Sequence, residues 1–164
     1  MRDISAALPA AVPRVGVFVN KEAFEIVRIM EYCRLDIAQL HGEEDAKSAE
    51  QIGSERVWKV VSLTSPDDIE RFEAYPASAL LADTQTAARR GGTGQTGNWE
   101  LAGSLAERKN VVLAGGLTPD NVRMAVEQVH PMAVDVSSGI EASPGVKDAA
   151  KMEEFIRNAK GRTL

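Results

Sequence analysis

The sequence contains one cysteine, Cys33, among 164 residues. That excludes a disulfide framework and a thiolate metal cluster. Aromatic residues are few, at two Trp, two Tyr and four Phe, so the core must be aliphatic. Positive charge is in deficit: 19 Lys and Arg stand against 24 Asp and Glu, a net charge of −5. A general basic surface for nucleic acid is therefore absent, and an anionic ligand must be held by local dipoles and a few cations. No apolar run approaches the ~18 residues of a membrane span. The first residues do not resemble a signal peptide, and the cytoplasm is the default compartment. The length is that of one domain with a real core.

What is present is a rhythm. Strand-like segments are predicted at 14–19, 36–40, 57–61, 79–83, 111–114 and 132–136. Most are nearly continuous runs of aliphatic residues, the pattern of strands buried on both faces. Amphipathic helical stretches lie between and after them, at 22–31, 43–52, 66–73, 99–107, 119–129 and 148–159. Ser65 and Thr118 read as N-caps, each followed by Pro at the first helical position. The alternation predicts a parallel sheet built from βα units. One loop, 84–97, is enlarged, and loops longer than about 12 residues in compact domains are usually functional.

A doubly wound sheet and a (β/α)8 barrel share this rhythm. Two features favour the barrel. Polar and glycine-rich residues cluster after strand C-termini: Asn20, His41-Gly42, Asp83, Gly115-Gly116 and Ser137-Ser138-Gly139. Phosphate-type turns also follow the last two strands, where such barrels commonly bind phosphate with help from a short extra helix. Residues 141–145 leave room for that piece. The count is against a complete barrel, because six units are not eight.

The two glycine turns carry the chemistry. Turns with little side chain let backbone N–H groups approach an anion, and a following helix adds partial positive charge. One such end is worth only ~0.3–1 kcal/mol when exposed, so two turns acting together suit a phosphate better than one. Asp83 ends an apolar strand and opens the long loop, where a partly desolvated carboxyl can act as an acid. Asp135, inside the last strand, reads equally as a group orienting the site or as a structural acid that needs partners. His41 reads equally as ligand-facing or structural. Lys59 either points into the barrel or snorkels outward. Gly92, Gly94 and Gly97 fit the spacing G-x-G-x-x-G, but they stand too far past their strand for a dinucleotide fold and read better as a lid over substrate. Arg89 and Arg90 read as solvated, and Cys33 as structural.

Six motifs occur in order: Arg14-Val-Gly-Val-Phe-Val-Asn20, Ala38-Gln-Leu-His-Gly-Glu-Glu44, Leu81-Ala-Asp-Thr84, Gly91-Gly-Thr-Gly-Gln-Thr-Gly-Asn-Trp99, Leu113-Ala-Gly-Gly-Leu117 and Ala133-Val-Asp-Val-Ser-Ser-Gly-Ile-Glu141. Together they closely resemble the phosphoribosylanthranilate isomerases of tryptophan biosynthesis, over essentially the whole chain. The resemblance implies a (β/α)8 TIM barrel. It implies an Amadori rearrangement of N-(5′-phosphoribosyl)anthranilate to 1-(2-carboxyphenylamino)-1-deoxyribulose 5-phosphate, without metal or organic cofactor. It implies Asp83 as the general acid that opens the furanose ring. It further implies that Gly115, Gly116, Ser137, Ser138 and Gly139 hold the phosphate, with Asp135 and His41 at the substrate. The family's general base, a Cys in a Lys-x-Cys-Gly segment, has no counterpart here. By the same comparison the chain is a single barrel domain lacking roughly its first two βα units, with 1–13 as the end of the second helix. The expected partner is a phosphorylated small molecule, with self-association through exposed strand edges. The alternatives are a non-catalytic or partner-completed phosphate-binding half-barrel, and another phosphosugar barrel.

Overall fold

The computed structural model describes residues 2–83 and 98–161. The fold is α/β. Its six main strands are β1 (Val15–Phe18), β2 (Ile37–Leu40), β3 (Val57–Val61), β4 (Ala79–Asp83), β5 (Val111–Ala114) and β6 (Ala133–Val134). They form one sheet in sequence order. The pairs β1–β2, β2–β3 and β5–β6 are parallel. The helices are α1 (Arg2–Ala7), α2 (Ala23–Cys33), α3 (Ala46–Ile52), α4 (Pro66–Glu73), α5 (Trp99–Ala106), α6 (Val122–Val129) and α7 (Ala149–Ala159). None of the helices among the described residues is long and apolar enough to cross a membrane.

The chain forms two compact units, one of residues 1–61 with 74–80 and one of 62–73 with 81–164. In the first, Ile26, Met30 and Cys33 of α2 pack with Ala49 and Ile52 of α3 on Phe18, Ala38, Leu40 and Val57. Cys33 is buried at the end of α2, in keeping with a structural role. Register partners in a sheet share a face, so Phe18, Leu40 and Lys59, aligned across β1–β2–β3, all face this helix layer. In the second unit the fully buried side chains include Leu113, Val122 and Val129.

Helix boundaries depart from the sequence reading where a side chain is taken by a tertiary partner. The helix predicted at 43–52 starts at Ala46, capped by Asp45, whose carboxylate accepts the Ser48 N–H at 2.8 Å. Glu44 is withdrawn into the cluster described below. The helix predicted at 119–129 starts at Val122. Before α4 the reverse cap operates: Asp68 accepts the N–H groups of Thr64 (2.8 Å) and Ser65 (3.0 Å). Residues 141–145 are not an extra helix. A 3-10 turn, Ser138–Ile140, leads into an antiparallel hairpin of β7 (Glu141–Ser143) and β8 (Val146–Lys147). Gly145, at φ +80°, supplies the left-handed residue that this turn requires.

Candidate functional site

In the second unit, three successive strands of the sheet end in the predicted site residues. Asp83 ends β4, half-buried. Gly115 and Gly116 follow β5, at φ +87° and +68°, where side chains are strained. Ser137, Ser138 and Gly139 follow β6. The two turns are built against one another. A Cβ placed on Gly139 would collide with the carbonyl oxygen of Leu117, one residue past Gly116. Only glycine permits that approach. The N–H groups of Gly116, Ser138 and Gly139 meet no backbone or side-chain acceptor among the described residues. Successive backbone N–H groups on turns of this kind are the chemistry that suits an anion.

Side chains fix each turn from behind. Asn121 donates to the Gly116 carbonyl at 3.0 Å and accepts the Thr118 N–H at 2.8 Å. It ties down the β5 turn rather than capping its own helix, which is why α6 starts late. Lys147 on β8 donates to the Ser137 carbonyl at 2.8 Å and to Glu141 at 2.9 Å. The Lys147 hydrogen bond holds the Glu141 carboxyl below its ordinary value. Neither Asn121 nor Lys147 stood out in the sequence, because each works through a turn and not through a motif. Asp135 is exposed, which corrects the expectation of a buried acid in need of partners. Its backbone N–H continues the ladder to Leu113 at 2.8 Å.

In the first unit the strand ends hold a buried ion pair. Lys59 Nζ lies 2.9 Å from Glu44 Oε2, with side-chain exposures of only 7% and 3%. This corrects both readings of Lys59: it neither snorkels to solvent nor leaves the helix-facing side. Lys59 also donates to the Gly42 carbonyl at 2.6 Å. Glu44 accepts the N–H of Asn20 at 2.8 Å and of Gly42 at 3.0 Å. Burial pushes the Glu44 carboxyl up, but the Lys59 hydrogen bond, the backbone donors and the Lys59 charge together hold it below its ordinary value. Tyr75 reaches the carbonyls of Glu44 and Asp45 at 3.0 Å, and burial beside these two acids pushes its hydroxyl up to about 12. Asn20, at φ +50°, accepts the Glu43 N–H at 2.7 Å. This network fixes the turn that bears His41. The His41 backbone N–H donates to the Phe18 carbonyl at 2.8 Å, and its side chain is exposed. The proposed lid residues Gly92, Gly94 and Gly97, with Arg89 and Arg90, lie outside the described residues.

Residues 2–158 match the family model described as N-(5′-phosphoribosyl)anthranilate (PRA) isomerase. The N-(5′-phosphoribosyl)anthranilate isomerase of Pelobacter propionicus is 44% identical over 158 residues, covering 96% of this chain and 75% of the relative. The solved phosphoribosylanthranilate isomerase of Thermotoga maritima is 45% identical, with a TM-score of 0.87 over 98% of this chain and 79% of the other. Another solved phosphoribosylanthranilate isomerase, in complex with reduced 1-(o-carboxyphenylamino)-1-deoxyribulose 5-phosphate, is 41% identical with a TM-score of 0.83 over 98% of this chain and 78% of the other. Shared sequence, shared fold and the order of the strand-end motifs converge, and the chain belongs to the N-(5′-phosphoribosyl)anthranilate isomerase family.

Proposed function

We propose that the chain carries the phosphate grip and the general acid of a phosphoribosylanthranilate isomerase acting in tryptophan biosynthesis. The observation that carries this reading is the pair of adjoining turns, Gly139 set against Leu117, with N–H groups on both that meet no acceptor among the described residues. A relative of the family was solved with a 5-phosphate ligand, the ligand class that such donors suit. Gly115, Gly116, Ser137, Ser138 and Gly139 are assigned to the substrate phosphate. Asp83, at the end of β4, is assigned to protonate the furanose ring oxygen, which opens the ring to an iminium ion. Loss of the C2′ proton to a base then gives the enamine, and tautomerisation gives the ketose. That base is a group of the full active site and is assigned to no residue of this chain. His41 and Asp135 are assigned to the substrate's surroundings. No cofactor enters these steps, and the proposed compartment is the cytoplasm.

The finer fold reading is a TIM barrel lacking roughly its first two βα units, within one domain. The relatives' greater length supports it. Outer strand edges then invite self-association. The non-catalytic alternative is not favoured, because the match to isomerases runs through nearly the whole chain.

The test is Asp83→Asn in the chain completed with the first two βα units of a relative. Turnover should fall by about 10²–10⁴-fold, the usual contribution of a general acid, while affinity for inorganic phosphate stays the same. Unchanged turnover would remove Asp83 from the mechanism.

A further inference from the structure

We infer that Lys147 is a positioning residue for the phosphate turn: it clamps the Ser137 carbonyl and thereby aims the Ser138 N–H at the ligand. The inference rests on the phosphate reading of the two turns and goes beyond it by assigning a residue outside both. In a planar trans peptide the carbonyl and the following N–H point in opposite directions. The Lys147 ammonium holds the Ser137 carbonyl at 2.8 Å. The Ser138 N–H of the same peptide must therefore point away from β8, and it engages no acceptor among the described residues.

The lysine is itself held. Glu141 lies opposite Lys147 in the β7–β8 register and accepts from it at 2.9 Å. Lys151, on α7, donates to the Glu141 carbonyl at 2.8 Å and anchors the hairpin to that helix. The hairpin is thus a brace. Its charges largely cancel, so the ammonium acts on the peptide it touches more than through space. An exposed charge would in any case be screened within ~10 Å at ordinary salt.

The experiment measures inorganic phosphate binding to the full chain by calorimetry, at low and high salt, for wild type, K147M, K147R, E141A and G139A. K147M should weaken phosphate about tenfold, as expected for losing one aimed hydrogen bond to a charged group. The ratio to wild type should persist at high salt. K147R should restore most of the affinity. The sign for E141A is decisive. A brace predicts weaker phosphate binding, whereas a simple charge effect predicts tighter binding once the carboxylate is gone. The Ser138 amide resonance should shift in K147M without ligand, and melting curves would show that the variants stay folded. If G139A loses phosphate while K147M binds as wild type does, or if E141A binds more tightly, the inference about Lys147 is overturned and the phosphate site stands. If wild type binds no phosphate, or G139A leaves binding unchanged, the phosphate reading fails and the Lys147 inference falls with it.

Discussion

At the residue scale, the ion pair of Lys59 and Glu44 carries the largest local consequences. Two charges this deeply buried are sustained by each other and by the hydrogen bonds around them. Glu44 takes two backbone N–H groups and the ammonium, and Lys59 takes the Gly42 carbonyl. Removing one partner leaves the other stranded, which typically costs ~3–5 kcal/mol. Lys59→Met should therefore destabilise the chain by that order in urea unfolding, more than the loss of an exposed pair such as Arg123–Glu127. The pH dependence has a defined sign. The Glu44 carboxyl is lower in the folded chain than in the unfolded one, so its contribution is complete above the unfolded value of about 4.3. It is lost as pH falls through the lower folded value. The gap in stability between wild type and Glu44→Gln should thus hold near neutrality and narrow as pH falls below the unfolded value. A gap that stays constant over this range would show that the charge of Glu44 is not what matters.

At the element scale, helix starts show how much of this fold is legible locally and where legibility stops. Asn98 and Asp148 accept the N–H three residues on, at 3.2 and 3.1 Å, and both starts are readable from residue type alone. The start of α4 is readable too: Ser65 directly precedes Pro66, and its carbonyl accepts the Asp68 N–H at 3.2 Å. The stronger side-chain tie comes from Asp68, which reaches back to hold two backbone donors. Asp68→Ala should cost about 1 kcal/mol, the usual value of a lost cap, and Ser65→Ala clearly less. A larger loss for Ser65→Ala by thermal melting would reverse that assignment. The glycine turns were legible because glycine, serine and an apolar strand in sequence leave few other uses. Asn121, Lys147 and the Lys59–Glu44 pair were not. Asn121 works within a short window, on Gly116 and Thr118, but its residue type alone does not separate a turn tie from a helical position. The other roles depend on which residues the sheet register and the hairpin bring together. Residues 43–44 and 119–121 look helical by composition, but a tertiary bond from Asn20 holds Glu44, and a local bond to the Gly116 carbonyl holds Asn121, outside their helices.

At the scale of the whole molecule, the relatives are longer, with this chain spanning 75–78% of their length. β6 is the last strand in the sheet order, and among the described residues it pairs with β5 alone. Beside it, a groove of about 530 Å³ is lined by Met132, Val134, Met152, Phe155 and Ile156 among others. Met132, Met152 and Ile156 are large apolar side chains left exposed. An open strand edge next to an apolar groove is a template for another strand and for the helix that packs on it. For the chain alone, a second copy is the occupant always at hand, so association should rise with concentration. Sedimentation velocity on serial dilution should show a reversible shift towards larger species. Ile156→Glu, which places a charge in the groove without touching the core below it, should return the chain to monomer with its melting temperature little changed. A wild-type chain that stays monomeric at every concentration would show that the edge is closed by the fold itself. Association that survives Ile156→Glu would move the contact away from β6.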